Sequence, residues 1–242
     1  MPRSKQIFLS AEWLDLVMLN YEVEPGLLTR HVPPGTSLDS FNGRTYVSLV
    51  GFRFCRTKLL GRFTVPFHAD FDEVNLRFYV RRKDGSEDRR GVVFIAEVVP
   101  RHAIAITARF LYGENYKCLP MRHHLETEEF GRTAEYHWRV DGQWCKLSAQ
   151  TIGPSQHPQE GSLEQFITEH YWGYSTQRRG GCLEYHVSHV PWQVWATTAA
   201  RFEGDAGDLY GCEFGQVLQR RPDCAFVAEG SSVSVFRGNR VQ

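Results

Sequence analysis

Three turn dipeptides constrain the fold of this chain more than any other feature. Asn42-Gly43, Asp84-Gly85 and Asp141-Gly142 each stand between segments in which apolar and polar residues alternate. Both central residues of a type I′ hairpin turn need positive φ angles, which Asn, Asp and Gly tolerate better than other residues. Each dipeptide therefore predicts a two-residue hairpin between antiparallel strands.

The other expected strands follow from period-two alternation along the chain. Together the strands cover residues 38–41, 45–54, 73–82, 90–99, 133–140, 143–149, 181–187, 194–202 and 225–236. Apolar residues at helical spacing predict a short helix over 102–112, ended by Gly113. A capping box of Ser162 and Gln165 predicts a second helix that reaches about His170. The fold class is therefore expected to be mainly β with a few helices.

Composition narrows the class of protein. No internal repeat or long linker divides the 242 residues, which predicts a single domain over 1–242, with a division near residue 155 as the alternative. Basic and acidic residues number 28 each, so neither nucleic acid nor an anionic membrane is an expected partner. No apolar run approaches the roughly 20 residues that cross a bilayer, and no secretory segment begins the chain. Six cysteines without a CxxC pair are expected to be reduced thiols, which predicts a cytoplasmic protein.

The predicted strand at 73–81 carries the first candidate site. One face is apolar throughout, because every second residue from Val74 to Val80 is apolar. This alternation fits a strand with its polar face in solvent. It also fits a strand whose polar face lines the inside of a barrel, where a carboxylate and a guanidinium would orient a ligand. The polar face holds Glu73, Asn75, Arg77, Tyr79 and Arg81.

The second candidate site follows the predicted helix. Arg109, Glu114, Tyr116 and Lys117 stand close together around a glycine, and only 5 of the 28 basic residues of the chain are lysines. A lysine desolvated beside another cation has a lowered pKa, which frees the amine to form a Schiff base with a carbonyl compound. The alternative is a solvated lysine at the start of a strand.

The histidines and the known motifs point to no metal or cofactor. His186 and His189 are three residues apart, so on a strand they point to opposite faces and share no metal. No nucleophile elbow, phosphate-binding loop or dinucleotide-binding glycine motif is present. We therefore expect no metal and no cofactor.

Several segments together resemble a known family. On these segments, and as far as Gly230, the chain resembles the YqjF-like family of uncharacterised proteins and, more distantly, acetoacetate decarboxylase. The resemblance implies an antiparallel β-barrel or cone with peripheral helices and an internal pocket. The segments are Met18-Leu19-Asn20-Tyr21, Val32-Pro33-Pro34-Gly35-Thr36, Tyr46-Val47-Ser48-Leu49-Val50-Gly51-Phe52, Glu73-Val74-Asn75-Leu76-Arg77, Leu111-Tyr112-Gly113-Glu114-Asn115-Tyr116 and Glu169-His170-Tyr171-Trp172-Gly173-Tyr174.

The resemblance also implies catalytic roles. The decarboxylase pattern Arg-Glu-x-x-Gly-x-Pro-Lys would assign the Schiff base to Lys117, with Arg109 as the matching arginine and Glu73 as the pocket glutamate. This chain departs from the pattern, because it has Phe110 in place of the glutamate, lacks the proline and places its lysine one residue late. A one-residue offset on a strand reverses the face of a side chain, so the resemblance supports the barrel and pocket better than the decarboxylase chemistry.

Three functions are compatible with these features. The first is a barrel that binds a small organic acid or carbonyl compound. In it Arg77 and Arg109 would bind the anion, and Glu73 and Tyr79 would form hydrogen bonds with the ligand. The second is a Schiff-base lyase of the decarboxylase or aldolase-dehydratase type that uses Lys117. The third is a structural protein without a ligand. The expected partners are a small molecule and a second copy of the chain in a homo-oligomer. Further ligand-binding candidates are Asn75, Glu114 and Tyr116.

Overall fold

The computed structural model describes residues 6–64, 69–105, 113–177 and 180–241. Within these ranges the helices are α1 (Pro25–Thr29), α2 (Leu163–Thr168), α3 (Gly207–Tyr210) and α4 (Cys212–Leu218). Residues 102–105 form a further helical turn. The strands are β1 (Ile7–Val23), β2 (Ser37–Leu38), β3 (Thr45–Leu59), β4 (Phe63–Thr64), β5 (Phe71–Asp84), β6 (Glu87–Val99), β7 (Tyr116–Cys118), β8 (Met121–Thr127), β9 (Arg132–Val140), β10 (Gln143–Thr151), β11 (Trp172–Thr176), β12 (Cys182–Ser188), β13 (Val194–Glu203), β14 (Cys224–Phe236) and β15 (Asn239–Val241).

Seven of these strands close into a ring. They follow the order β1, β3, β5, β6, β11, β12 and β14, and β14 pairs again with β1. The closing contact joins β12 to β14 through the pairs Val187 with Val235 and Ser188 with Ser234. Only the junction of β6 with β11 is parallel among the ring pairs. Closure pairs both edges of each ring strand over at least part of its length, which leaves an enclosed interior.

A second sheet continues from the ring and covers part of its outer face. The first half of β14 also pairs with β13, and β10, β9 and β8 follow in order. Tyr136 of β9 donates a hydrogen bond to the carbonyl oxygen of Asp15 in β1 over 2.8 Å. A side chain at Gly51 would place its Cβ 2.7 Å from the ring of Tyr136, so the glycine permits this close approach.

The alternation of ring residues divides the interior into two clusters. Outward residues such as Val17, Leu49 and Leu76 pack against Trp138 and Leu147 of the second sheet. Inward residues form the other cluster inside the ring. Strand β5 is therefore buried on both faces over most of its length, and its polar face is turned into the ring. The inward cluster includes Leu16, Met18, Val50, Phe52, Phe54, Phe71 and Trp192.

Two of the three predicted turns form as expected. Asn42 and Gly43 have φ angles of 51° and 79°, and Asp141 and Gly142 have φ angles of 44° and 86°. The third turn lies one residue later than predicted, because Asp84 pairs with Glu87 and leaves Gly85 and Ser86 in the loop. A glycine with φ 62° in the first loop position fits a type II′ turn.

The predicted strands are confirmed for most of the sheet, but one is shortened and several observed strands, among them β1, β8 and β11, were not predicted. The strand expected at 38–41 is reduced to β2, which pairs with β5, and to one bridge between Phe41 and Arg44. Strand β1 was not predicted, although it pairs along both of its edges. Its second half is buried almost without interruption, so the alternation that marks a half-buried strand is missing.

The predicted helices are found where the structure describes them. Residues 102–105 are helical, and the remainder of the helix expected over 102–112 lies outside the described residues. Helix α2 begins after Ser162, whose hydroxyl accepts a hydrogen bond from the backbone N–H of Gln165 over 3.2 Å. Helices α3 and α4 were not predicted. No helix in the described ranges has the length and apolar character needed to span a membrane, and all six cysteines are free thiols.

Candidate functional site

A cavity of about 230 Å³ lies on the inward faces of the ring strands. Its polar groups are few and lie among apolar side chains, where charge and hydrogen bonding have large energetic effects. The apolar wall includes Trp13, Phe52, Phe54, Phe71, Phe94 and Trp192.

Strand β5 supplies three of the polar groups. Glu73, Asn75 and Arg77 line the cavity, and each is at most 8% exposed. They share one face because side chains two residues apart on a strand point the same way. This placement decides between the two interpretations of the alternation, since the polar face is turned into the ring and away from solvent.

Carboxyl groups and tyrosines meet at one side of the cavity. Glu73 accepts a hydrogen bond from Nδ2 of Asn75 over 3.0 Å and another from the hydroxyl of Tyr116 over 3.2 Å. Glu114 accepts a short hydrogen bond from the hydroxyl of Tyr185. Strands β5, β7 and β12 thus bring side chains that are distant in sequence into one cluster.

A third carboxyl group, Glu97, completes this cluster. It lies on β6 opposite Asn75 and is 1% exposed. Its Oε2 atom is enclosed and has no hydrogen-bond partner among the described residues. Burial, together with the charges of Glu114 and Glu73, raises the pKa of Glu97 well above its ordinary value.

The same causes act on the other two carboxyl groups. Burial raises the pKa of Glu73 to about 7, against the hydrogen bonds from Asn75 and Tyr116 and the charge of Arg77. Burial and the charge of Glu73 raise the pKa of Glu114 to about 8. The cluster therefore retains protons near neutral pH. A protonated carboxyl group donates as well as accepts, so the cluster can protonate a carbonyl oxygen and take the proton back.

Arg77 places a positive charge beside the carboxyl cluster. Its Nε atom is enclosed and unpaired, and the side chain forms no ion pair within the described part of the chain. The guanidinium carbon lies 5.9 Å from the centre of the Tyr79 ring. A buried cation without an anionic partner is costly, so an anion that enters the cavity would find a strong partner at Arg77.

His170 connects the cavity to a buried ion cluster. Its Nε2 lies 3.2 Å from Oδ2 of Asp39. The carboxylate of Asp39 also forms ion pairs with Arg81 at 2.9 Å and with Arg90 at 2.8 Å. Although burial opposes it, the hydrogen bonds from His170 and Arg90 hold the pKa of Asp39 well below its ordinary value. Burial lowers the pKa of His170 to about 4, in spite of Asp39, so this ring is neutral near pH 7. Its Nδ1 atom is enclosed and has no described partner.

The structure brings together most of the site residues predicted from sequence. Tyr79 is buried behind the cavity wall, where its hydroxyl is hydrogen-bonded to Ser48. Lys117 is exposed on β7 and does not line the cavity, whereas its neighbour Tyr116 points inward. Arg109 lies outside the described residues. The sequence candidates that line the cavity are Glu73, Asn75, Arg77, Glu114 and Tyr116.

Several cavity residues were not among the sequence candidates. Glu97 had a usable signal, because it is the only charged residue in the apolar run 91–99. Tyr185, His170 and His189 line the cavity without a comparable signal. No three His, Cys, Asp or Glu side chains of the described residues are arranged to hold a metal ion.

The fold is similar to those of several solved enzymes. The acetoacetate decarboxylase of Legionella pneumophila has a TM-score of 0.67 at 15% identity, over 100% of this chain and 88% of that chain. An acetoacetate decarboxylase-like enzyme from Sphingomonas wittichii RW1 has a TM-score of 0.69 at 13% identity, over 97% and 93%. The enduracididine biosynthesis enzyme MppR, complexed with pyruvate, has a TM-score of 0.67 at 14% identity, over 99% and 92%. The predicted mainly β, acetoacetate decarboxylase-like fold is confirmed.

Sequence similarity identifies the family. The chain is 25% identical to the uncharacterized protein YqjF of Bacillus subtilis (strain 168) over 204 residues, which are 82% of this chain and 80% of the relative. The profile of the DUF2071 family, described as an uncharacterized conserved protein, matches residues 10–232. The resemblance to a YqjF-like family is therefore confirmed. This chain belongs to the DUF2071 family of uncharacterized conserved proteins.

Proposed function

We propose that this protein binds a small organic acid that carries a carbonyl group inside the strand ring, and acts on it by proton transfer. The observation that carries the proposal is Arg77, a buried guanidinium that lines the cavity without an ion-pair partner among the described residues. A carboxylate is the planar anion that an arginine binds through two parallel hydrogen bonds. The cavity of about 230 Å³ suits a ligand smaller than a typical drug molecule.

The carboxyl cluster gives the ligand its second polar end. With the carboxylate of the ligand at Arg77, its carbonyl oxygen needs a hydrogen-bond donor. Protonated Glu73 and Glu114, with pKa values raised to about 7 and about 8, can supply that donor near neutral pH. Asn75 and Tyr116 hold Glu73 in place through their hydrogen bonds. The large apolar part of the wall would contact the hydrocarbon part of the ligand.

This proposal requires no lysine in the cavity. None of the lysines in the described ranges lines it, and Lys117 is exposed. The enzymes with similar folds include acetoacetate decarboxylases and a protein complexed with pyruvate, which supports a keto acid as the ligand class. A Schiff base at Lys117 stays the alternative and would need the amine to enter the ring. A structural protein without a ligand has no use for a buried unpaired arginine.

Calorimetric titration with pyruvate, 2-oxobutanoate and acetoacetate tests the proposal. We expect at least one acid to bind, and the Arg77→Met variant to bind it about 100-fold more weakly, because a buried charge-assisted contact is worth roughly 2–5 kcal/mol. Arg201→Met is the matched control, since Arg201 is exposed and its ion pair in the described structure is with Glu203 on the surface. The proposal would be contradicted if neither wild type nor Arg201→Met bound any of the three acids. It would also be contradicted if Arg77→Met bound an acid as tightly as wild type does.

The folding of the variant needs its own check. Arg77 makes no ion pair in the described structure, so its replacement by methionine leaves no described carboxylate unpaired. We therefore expect Arg77→Met to unfold at a temperature no lower than wild type. Loss of binding by a fully folded variant then reports on the ligand site alone.

A further inference from the structure

We infer that His189 acts as the general base in this cavity and removes a proton from the carbon next to the carbonyl group of the bound acid. The inference rests on the proposed function of the cavity. His189 lines the same cavity as Arg77 and the carboxyl cluster. It follows the end of β12, the strand that also carries Tyr185.

The backbone defines which nitrogen of His189 is free. Nδ1 lies 2.8 Å from the carbonyl oxygen of Val190. A carbonyl oxygen only accepts hydrogen bonds, so Nδ1 carries the proton and Nε2 keeps its lone pair. Nε2 has no hydrogen-bond partner in the described part of the chain, and it is not among the enclosed atoms there. It is therefore open to a ligand.

Aromatic neighbours hold the imidazole ring in a fixed plane. The ring of Trp192 stacks on it with centroids 4.1 Å apart and an angle of 17° between the planes. Tyr171 lies against it with a centroid distance of 4.8 Å. Trp192 is itself fixed, because its indole N–H donates to the hydroxyl of Ser231 over 2.9 Å. A base that is held by packing and by a second hydrogen bond keeps the geometry that proton transfer needs.

His170, the other histidine of the cavity wall, is a poorer candidate. Its Nε2 faces Asp39, and its free Nδ1 is enclosed so that no ligand atom can reach it without displacing the wall. His189 differs in having its free nitrogen accessible. Asp39 and His170 belong to the framework around the cavity, whereas His189 faces the space inside it.

Arg77 links ligand binding to the strength of this base. Burial, together with the charges of Arg77 and His186, lowers the pKa of His189 to about 4, against the opposing effect of the hydrogen bond to Val190. The ring is therefore neutral and can accept a proton at neutral pH. A ligand carboxylate bound to Arg77 would offset the charge of Arg77, so the basicity of His189 should rise when the substrate is in place.

The step balances without a further reactant. The C–H bond breaks and its proton moves to Nε2, while the electron pair forms a C=C bond and the carbonyl electrons move to oxygen. That oxygen takes the proton of Glu73 or Glu114, which leaves an enol, an imidazolium and a carboxylate. The reverse step restores the keto acid. In deuterium oxide the carbon receives deuterium instead.

Proton NMR in deuterium oxide tests this step with pyruvate and 2-oxobutanoate as probes. We expect the wild type to speed the loss of the C3 proton signals above the rate without protein. His189→Gln should slow this exchange at least 10-fold, as expected for loss of a general base, with a change in Kd below threefold. His124→Gln is the matched control, because its side chain is exposed on β8 and does not line the cavity. It should exchange like wild type.

The outcomes separate the two proposals. Exchange by His189→Gln at the wild-type rate, or binding without any exchange by wild type, overturns the role of His189 and leaves acid binding intact. Failure of pyruvate, 2-oxobutanoate and acetoacetate all to bind overturns the proposed function and the inference with it. Imidazole nitrogen NMR of the free protein adds a check without ligand, because an Nε2–H tautomer of His189 would also contradict the inference.

Discussion

At the scale of single residues, burial makes the carboxyl groups of the cavity weaker acids than usual, so they keep their protons to higher pH. Glu73, Glu97 and Glu114 are coupled, since the charge of one raises the pKa of another. Ionising one of them makes the next ionisation harder, so the cluster gives up its protons over a wide pH range. A group of this kind affects both chemistry and stability.

The stability of the protein should therefore fall as pH rises. Above about pH 4.5 an unfolded carboxyl group has lost its proton, while the folded cluster keeps its protons until the pH passes the raised pKa values of about 7 and about 8. The contribution of this cluster to the free energy of unfolding should therefore be largest below pH 4.5 and should decline towards pH 9. At about 1.4 kcal/mol per pKa unit, Glu73 alone contributes on the order of 3 kcal/mol to the decline.

Glu97→Gln tests this dependence. The amide cannot ionise, so we expect the variant to be more stable than wild type at pH 8.5, by roughly 1–3 kcal/mol, and to show a smaller decline between pH 5.5 and pH 8.5. Urea unfolding at both pH values measures the effect. Glu126→Gln on the exposed strand β8 is the control and should decline like wild type. An unchanged decline in Glu97→Gln would show that Glu97 is already ionised in the folded protein.

A second residue-scale prediction concerns Lys117. Its side chain is exposed, so its amine lacks the desolvation that activates Schiff-base lysines. Borohydride treatment with pyruvate or acetoacetate should give no adduct at Lys117 above the level found at Lys83, another exposed lysine. Peptide mass spectrometry measures both sites. A substrate-dependent adduct that disappears in Lys117→Ala would favour the lyase alternative over the lysine-free proposal.

At the scale of elements, the position of Tyr185 depends on a glycine across the hairpin. Gly173 in β11 pairs with Tyr185 in β12. A Cβ atom at Gly173 would lie 2.1 Å from Cζ and 2.4 Å from the hydroxyl oxygen of Tyr185. The tyrosine ring therefore lies directly over the glycine, and from there its hydroxyl reaches Glu114.

Gly173→Ala should displace that ring. We expect a loss of about 1–3 kcal/mol in the free energy of unfolding, as for other overpacked sites, together with weaker binding of the acid. Gly26→Ala is the control, because a Cβ there would meet nothing within 4 Å and alanine favours the helix α1. Chemical unfolding and calorimetric titration measure the two effects. Wild-type values for both in Gly173→Ala would mean that Tyr185 has another position in solution.

Sequence reasoning succeeded for elements whose requirements are local. The turns at Asn42-Gly43 and Asp141-Gly142 depend on φ angles of the two residues themselves, and α2 depends on a cap between two residues three positions apart. The site residues Glu73 and Arg77 were found because alternation on one strand places them together. That pattern could not tell whether the polar face was turned to solvent or into a ring, since this depends on ring closure by distant strands.

The register of β7 and the remaining cavity residues could not be predicted in the same way. Whether Tyr116 or Lys117 points inward depends on the parallel pairing of β7 with β6, which no local signal specifies. Glu97 had a local signal as the only charged residue of the run 91–99. Tyr185 and His189, on and just after β12, are distant in sequence from β5 and β6 and meet them only in three dimensions.

At the scale of the whole molecule, the ring is held unevenly. Strands β1 and β3 align over twelve residue pairs. The β11–β12 hairpin is joined to the ring by two pairs to β6 on one side and two pairs to β14 on the other. This hairpin carries Tyr185 and leads directly to His189, so the least extensively paired part of the ring is also part of the cavity wall.

Hydrogen exchange should reveal this difference. Local opening needs the fewest broken hydrogen bonds where the paired stretch is shortest, so amides at 172–173, 187–188 and 234–235 should exchange faster than those in the paired part of β1 and β3. An acid that binds between Arg77 and the carboxyl cluster would contact Tyr185 on the hairpin and the fixed strand β5 at once. Adding the acid should therefore slow exchange at the hairpin junctions more than in β1 and β3. Mass spectrometry of peptides from the junctions and of peptides from β1 and β3 measures the difference. Equal protection of both sets with and without acid would mean that the ring opens only as a whole, and that the ligand does not bridge the hairpin to β5.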